Sequence, residues 1–172
     1  YKRQGQYDLI LDCAAAFIES PTRIGTVELT RSGVPHYKNP AHPVFIADAG
    51  RIKRIETCLG TGESFYRAMA QLGFKDWTGK NLVIFGSGKV GTGLITYAHQ
   101  LGARISVVTE PSTISARLKT LTDVTWIAFN DKAAVEKAVA AAHAVVTATG
   151  VAGAATYAAD SRAYTESRAL LA

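Results

Sequence analysis

A glycine-rich turn between an apolar strand and a helix constrains this chain more than any other feature. The apolar run Asn81–Phe85 leads into Gly86-x-Gly88-x-x-Gly91, and a helical pattern begins at once. The first glycine permits a sharp turn, the second lets the backbone approach a pyrophosphate, and the third lets the helix pack closely on the strand. The unpaired N–H groups of that helix face the phosphates. The residues predicted to contact the dinucleotide here are Gly86, Ser87, Gly88, Lys89, Val90 and Gly91.

An acidic residue about 20 positions after the turn is the usual test of such a turn, because the glycines alone are a weak indicator. Glu110 stands there, directly after the β-branched run Arg104–Thr109, which predicts a second strand. A carboxylate at the tip of that strand can accept both ribose hydroxyls of the adenosine half and would repel a 2′-phosphate. The pattern therefore favours NAD over NADP. A P-loop is excluded, since no Gly-x4-Gly-Lys-Ser/Thr is present.

Composition excludes several classes of protein. With 48% apolar and 19% charged residues among 172, the chain can bury a core, which argues against disorder. No apolar run reaches the roughly 20 residues of a membrane span, and no signal peptide is recognisable, so a cytoplasmic protein is expected. A net charge of +5 from scattered basic residues predicts no nucleic-acid or membrane partner. The two cysteines lack ligand partners at useful spacing, so no metal site is expected.

Strand and helix patterns alternate past Glu110, which predicts a parallel sheet. The pattern predicts a helix near 112–120, a strand near 125–129, a helix over 132–142 and a strand over 144–147. The expected class is therefore α/β, a Rossmann-type doubly wound parallel sheet preceded by the end of a second, substrate-side domain. Parallel strands bring their carboxyl ends to one edge, where the cofactor crevice is expected. The residues predicted to line the nicotinamide ribose there are Thr147, Ala148, Thr149 and Gly150.

The N-terminal third does not follow the pattern of a Rossmann start. Tyr7–Asp12 is a predicted strand, and a loop-rich region with four prolines follows it. A short extended segment is predicted over 43–48 and an amphipathic helix over 57–72. We therefore assign 1–50 to part of a substrate-side domain and a hinge, 51–155 to the NAD-binding domain with its leading helix, and 156–172 to a helical segment. On this interpretation the chain is a fragment, and the earlier part of the substrate-side domain lies outside it.

Six short blocks follow one another in a fixed order along both parts of the chain. They are the strand 8–12, the loop 28–33, the helix start 60–64, the glycine turn 86–93, the pair Thr109-Glu110, and the strand end 147–150. In their order and in their residues, these blocks resemble motifs of the S-adenosylhomocysteine hydrolase family. The resemblance implies a tightly held NAD that transiently oxidises a substrate hydroxyl, so that an acidified neighbouring C–H permits elimination and re-addition. It also implies a small-molecule substrate and a homo-oligomer.

Residues on the substrate side depart from that family. Cys13 stands where the family has a second aspartate, and Leu29 replaces one carboxylate of a Glu-Glu pair, which leaves Glu28. A base that takes the hydroxyl proton is required, and Lys53 or Glu56 can serve, although both can equally be solvated surface charges. The resemblance also implies a catalytic role for Glu28 and cofactor contacts for Thr30 and Thr57.

Two other functions are compatible with the same sequence. One is a 2-hydroxyacid-type dehydrogenase that releases NADH, and the other is a non-catalytic regulatory protein that keeps NAD and has lost the chemistry. Neither a Ser-His-Asp arrangement nor a His-Glu-x-x-His helix can be assembled from the sequence. Of these functions, the resemblance favours a divergent enzyme related to S-adenosylhomocysteine hydrolase.

Overall fold

The computed structural model describes residues 7–149 and 170–171. It divides the chain into two compact units, Tyr1–Ile55 and Glu56–Ala172. The domain limits expected from the sequence, near residues 50 and 155, stay a prediction. None of the helices in the described residues combines the length and apolar character that a bilayer span requires.

The first unit contains a parallel sheet of three strands in the order β1, β2, β3. The strands are β1 Tyr7–Asp12, β2 Thr22–Glu28 and β3 Val44–Ile46, and a short helix, α1, follows at Arg51–Ile55. The sequence predicts β1 and β3, whereas it places β2 in a loop-rich region. Gly25 in β2 lowers strand propensity, yet an added Cβ there would overlap the Pro43 carbonyl oxygen, so glycine is required.

The second unit contains a five-stranded parallel sheet in the order β6, β5, β4, β7, β8. The strands are β4 Asn81–Phe85, β5 Arg104–Thr109, β6 Val124–Ala128, β7 Ala144–Thr147 and β8 Leu170–Leu171. Strand order reverses at β4, which is the switch point of a doubly wound sheet and opens a crevice at the carboxyl ends. The predicted fold class is confirmed. Most of the helical segment predicted over 156–172 lies outside the described residues, but the prediction is wrong at Leu170–Leu171, which pair with β7 as a strand.

The helices of this unit are α2 Thr61–Gln71, α3 Lys89–Gln100 and α4 Lys132–Ala140, and one π-helical turn, Glu56–Gly60, precedes α2. The prediction of a helix near 112–120 is wrong. The segment instead forms two 3-10 turns, Pro111–Thr113 and Leu118–Thr120. The hydroxyl of the last residue in each turn donates to a carbonyl three residues back at 2.7 Å, and such local bonds compete with a continuous helix.

Both faces of the second sheet are buried. Leu82 and Ile84 of β4 pack into one apolar cluster with Leu94 of α3, while Val83 and Phe85 pack into another on the opposite face. Burial on both faces explains why β4 is an unbroken apolar run in the sequence, as is typical of parallel sheets. The core therefore fixes the ends of β4 and β5, where the candidate site lies.

Candidate functional site

Gly86 makes the turn that carries the chain off β4. Its φ is +100°, and an added Cβ would lie 2.9 Å from the Ala148 carbonyl oxygen. Its N–H donates to the Val108 carbonyl at 2.8 Å, which continues the ladder to β5 for one residue. Glycine is therefore required both for the backbone angle and for the approach of the chain that leaves β7.

Gly88 and Gly91 have opposite surroundings. A Cβ at Gly91 would overlap the Gly86 carbonyl oxygen, so this glycine lets the first turn of α3 pack on the turn itself. A Cβ at Gly88, the N-cap residue of α3, would meet nothing within 4 Å. The turn thus leaves open space beside the N–H groups that begin α3, which is where a dinucleotide pyrophosphate binds in such turns. The residues present fit a dinucleotide cofactor.

Three hydroxyl groups lie close together where the glycine turn meets the end of β5. The Ser87 Oγ lies 2.8 Å from the Thr109 Oγ1 and 3.3 Å from the Thr113 Oγ1, and the two threonine oxygens are 3.2 Å apart. Ser87 and Thr109 are both 5% exposed. The Ser87 side chain therefore faces the protein, and its predicted contact with the cofactor can come only from its backbone. The sequence marked Thr109 only as the neighbour of Glu110 and did not indicate Thr113; these threonines lie 22 and 26 positions from Ser87.

Glu110 follows β5 at the same edge of the sheet. Its side chain is exposed, and its backbone is extended, with φ −73° and ψ 121°, ahead of Pro111. On the other side of β4, Thr147 pairs with Phe85, and the Ala148 N–H donates to the Phe85 carbonyl at 2.8 Å. The predicted residues that end β5 and β7 thus flank the glycine turn at one edge. Thr149 is half-buried beyond them, and Gly150 lies outside the described residues.

Two carboxylates are completely buried in the first unit, where β1 and β2 end. Asp12 and Glu28 pair across these strands, and both are 0% exposed. Glu28 accepts hydrogen bonds from the N–H groups of Ala14, Ala15 and Thr30 and from the Thr30 hydroxyl. Ala14 and Ala15 both have left-handed backbone angles, φ 59° and 57°, so this carboxylate holds a strained turn.

The hydrogen bonds decide the pKa of Glu28. Burial alone raises the pKa of this carboxyl, but the Thr30 hydroxyl and the three N–H groups together outweigh burial, and the net pKa lies below its ordinary value. Asp12 accepts from the Tyr37 hydroxyl and from the N–H of Cys13 at 2.7 Å. Burial and the Asp12 carboxylate raise the pKa of Tyr37. Both carboxylates therefore accept hydrogen bonds from groups of their own unit.

We expect Glu28→Gln to lower the free energy of unfolding by about 2–4 kcal/mol at neutral pH, since a charged acceptor is lost and one buried N–H then faces an amide donor. Because the folded pKa is lowered, the stabilisation is complete above the unfolded value of 4.5 and is lost as pH falls through the folded pKa. Denaturant titrations at pH 7 and below pH 4 measure both effects. Exposed Glu19 provides the matched control, Glu19→Gln. A Glu28→Gln variant as stable as this control would contradict the expectation.

Three of the remaining predicted residues, Lys53, Glu56 and Thr57, lie in the sequence next to the boundary between the two units. Lys53 is half-buried on α1, whereas Glu56 is exposed in the π-helical turn, where the Thr57 hydroxyl donates to its Oε2 at 3.5 Å. Thr30 belongs to the Glu28 cluster. Catalytic roles for Lys53, Glu56 and Glu28, and cofactor contacts for Thr30 and Thr57, stay predictions. In the part of the chain that the structure describes, no three His, Cys, Asp or Glu side chains are grouped to hold a metal ion.

Comparison with solved structures supports the fold. Shikimate 5-dehydrogenase from Listeria monocytogenes, solved with shikimate and NAD, superposes with a TM-score of 0.57 at 14% identity, covering 100% of this chain and 86% of that one. A dipicolinate synthase chain from Bacillus halodurans gives 0.55 at 14% identity over 71% of this chain. The match spans 41% of the length of that synthase chain. At this identity the likenesses show the fold alone.

Sequence comparison identifies the family. A search of curated proteins finds no match. The model of the family NAD_binding_7, described as NAD(P)-binding, matches residues 74–169, which is more than half of the chain and includes the glycine turn, Glu110 and β7. The chain therefore belongs to the NAD_binding_7 family and carries an NAD(P)-binding domain.

Proposed function

We propose that the protein is an NAD-dependent enzyme resembling S-adenosylhomocysteine hydrolase, acting on a divergent substrate by transient oxidation of a hydroxyl. One observation carries the proposal: five of the six matching blocks lie where parallel strands end. Asp12 ends β1, Glu28 ends β2, the glycine turn follows β4, Glu110 follows β5, and Thr147 ends β7. Ligands of parallel α/β sheets bind at carboxyl ends, so the position of these five blocks supports a role in ligand binding.

Bound NAD would supply a hydride acceptor that converts a hydroxyl-bearing carbon to a carbonyl and returns the hydride at the end of the cycle. The phosphates would lie beside Gly88 at the start of α3, and Glu110 would accept the hydroxyls of the adenosine ribose. The substrate's hydroxyl proton needs a base within hydrogen-bond reach, for which Lys53 and Glu56 are our candidates. Glu28 instead acts as a positioning residue, because its four hydrogen bonds hold the turn after β1 and the loop after β2.

The test is turnover of S-adenosylhomocysteine by the NAD-loaded protein. We expect release of homocysteine thiol, or reduction of bound cofactor without thiol if the substrate has diverged, and no accumulation of NADH in solution. Thiol is measured with a disulfide reagent and reduced cofactor by its absorbance. Net NADH production from a 2-hydroxyacid would contradict the proposal and identify a conventional dehydrogenase.

A non-catalytic NAD-binding regulatory protein is the second candidate. The commitment of both buried carboxylates to internal hydrogen bonds favours it, since neither Asp12 nor Glu28 is then available to a substrate. Retained NAD, with no hydride transfer to it from any hydroxylated metabolite tried, would support this function over the enzymatic one.

A further inference from the structure

The hydroxyl cluster formed by Ser87, Thr109 and Thr113 joins two loops that contact different parts of a dinucleotide. Ser87 belongs to the glycine turn after β4, and Thr113 ends the 3-10 turn that begins immediately after Glu110. Thr109 is the last residue of β5, and neither Ser87 nor Thr109 is more than 5% exposed. This cluster therefore links side chains of the two loops through hydrogen bonds.

The number of hydroxyl protons in the cluster determines which groups donate and which group accepts. The Thr113 hydroxyl donates to the Glu110 carbonyl at 2.7 Å, so its oxygen can only accept from the other two hydroxyls. Two protons then remain for three short oxygen pairs, and each of the three arrangements that bond all three groups ends at Thr113. The chain of donors thus runs from Ser87 and Thr109 to Thr113 and on to the Glu110 carbonyl.

The Glu110 backbone is the fixed end of this chain. Its carbonyl accepts a second bond from the Thr113 N–H at 2.9 Å, and Pro111 restricts Glu110 itself to the extended region it occupies. The carboxylate is exposed, and no hydrogen bond of its own is identified in the described residues, so the bonded backbone sets the point from which this side chain extends. Anything that loosens Thr113 therefore moves the carboxylate relative to the glycine turn.

We propose that the Ser87–Thr109–Thr113 cluster determines the preference for NAD over NADP by fixing Glu110 relative to the phosphate-binding turn. The proposal rests on the ribose-binding role given to Glu110 in the proposed function. Thr113 and Ser87 are positioning residues. Each bonds the loop that contains it to the other loop, and each acts on the cofactor through Glu110. A carboxylate held in place both accepts the ribose hydroxyls and repels a 2′-phosphate, whereas a mobile one does each less well.

The experiment measures the dissociation constants of NAD and NADP by calorimetry for the full chain and its variants. Thr113→Val keeps the side-chain shape and removes the hydroxyl. We expect it to weaken NAD by about 3- to 10-fold, the cost of one or two hydrogen bonds, with little change for NADP. Glu110→Ala should reduce the ratio of the two constants further, and adding Thr113→Val to Glu110→Ala should leave that ratio unchanged.

Thr120 offers a matched control, because its hydroxyl donates to the Arg117 carbonyl at 2.7 Å in the same 3-10 geometry. Thr120→Val should bind both nucleotides as the parent does. If Thr113→Val unfolds, Thr113→Ser, which keeps the hydroxyl, must retain the parent ratio and Ser87→Ala must reduce it. Parent-like ratios in Thr113→Val or Ser87→Ala, or equal weakening of both nucleotides, would overturn the inference. The expected binding pattern without any turnover would instead refute the enzymatic function alone.

Discussion

Replacing Gly88 by valine is expected to abolish NAD binding and leave the fold intact. Gly88 has an ordinary φ of −67°, and a side chain there meets no protein atom within 4 Å of its Cβ. The valine would instead occupy the space beside the first N–H groups of α3. Loss of two charge-assisted hydrogen bonds to the pyrophosphate weakens NAD by about 100-fold or more.

Calorimetry gives the affinity, and thermal unfolding gives the stability of the same samples. Gly60→Val is the matched control, since Gly60 is also exposed, has a φ of −64° and has no atom closer to an added Cβ than the Glu56 Cγ at 3.9 Å. It should bind NAD as the parent does. Parent-like NAD affinity in Gly88→Val would show that the pyrophosphate does not lie against this glycine.

The second sheet could be predicted from the sequence because its signals are local. β4 is an apolar run that ends at Gly86, and β5 is a β-branched run that begins shortly after Gly102. Their observed limits, Asn81–Phe85 and Arg104–Thr109, are those the sequence predicts. Burial on both faces removes the alternation that would otherwise identify a strand, yet it leaves a continuous apolar run that is just as recognisable. The glycine spacing then fixes where the helix starts.

Long-range polar contacts could not be predicted in the same way. Ser87 and Thr113 are ordinary loop residues in the sequence, and only the parallel register of β4 with β5 brings them within 3.3 Å. Glu28 is a similar case, because a glutamate after a strand is usually exposed and this one is completely buried. Its four donors come from two separate loops, and their convergence depends on the β1–β2 pairing, of which the sequence indicated only one strand.

Gly93→Ala is expected to destabilise the protein, although helix propensity predicts the opposite. An alanine inside a helix is favoured over glycine by about 1 kcal/mol, so an exposed site in α3 would gain stability. At Gly93, however, an added Cβ overlaps the Cys58 carbonyl oxygen in the π-helical turn. Gly62 of α2 also approaches α3 closely, since its own added Cβ would lie 2.6 Å from the Gly93 carbonyl carbon.

The backbones of α2 and α3 are thus in direct contact, and the Tyr66 hydroxyl bonds the Leu94 carbonyl across them at 2.9 Å. Separating these helices to admit a methyl group would disturb the apolar cluster beneath β4, so we expect a net loss of about 3 kcal/mol or more in the free energy of unfolding. Denaturant midpoints of Gly93→Ala and of Gly60→Ala, where the added methyl has room, give the comparison. Only the first should fall. If both variants were as stable as the parent or more so, the close contact would not exist in solution, and α3 would be free to shift relative to α2.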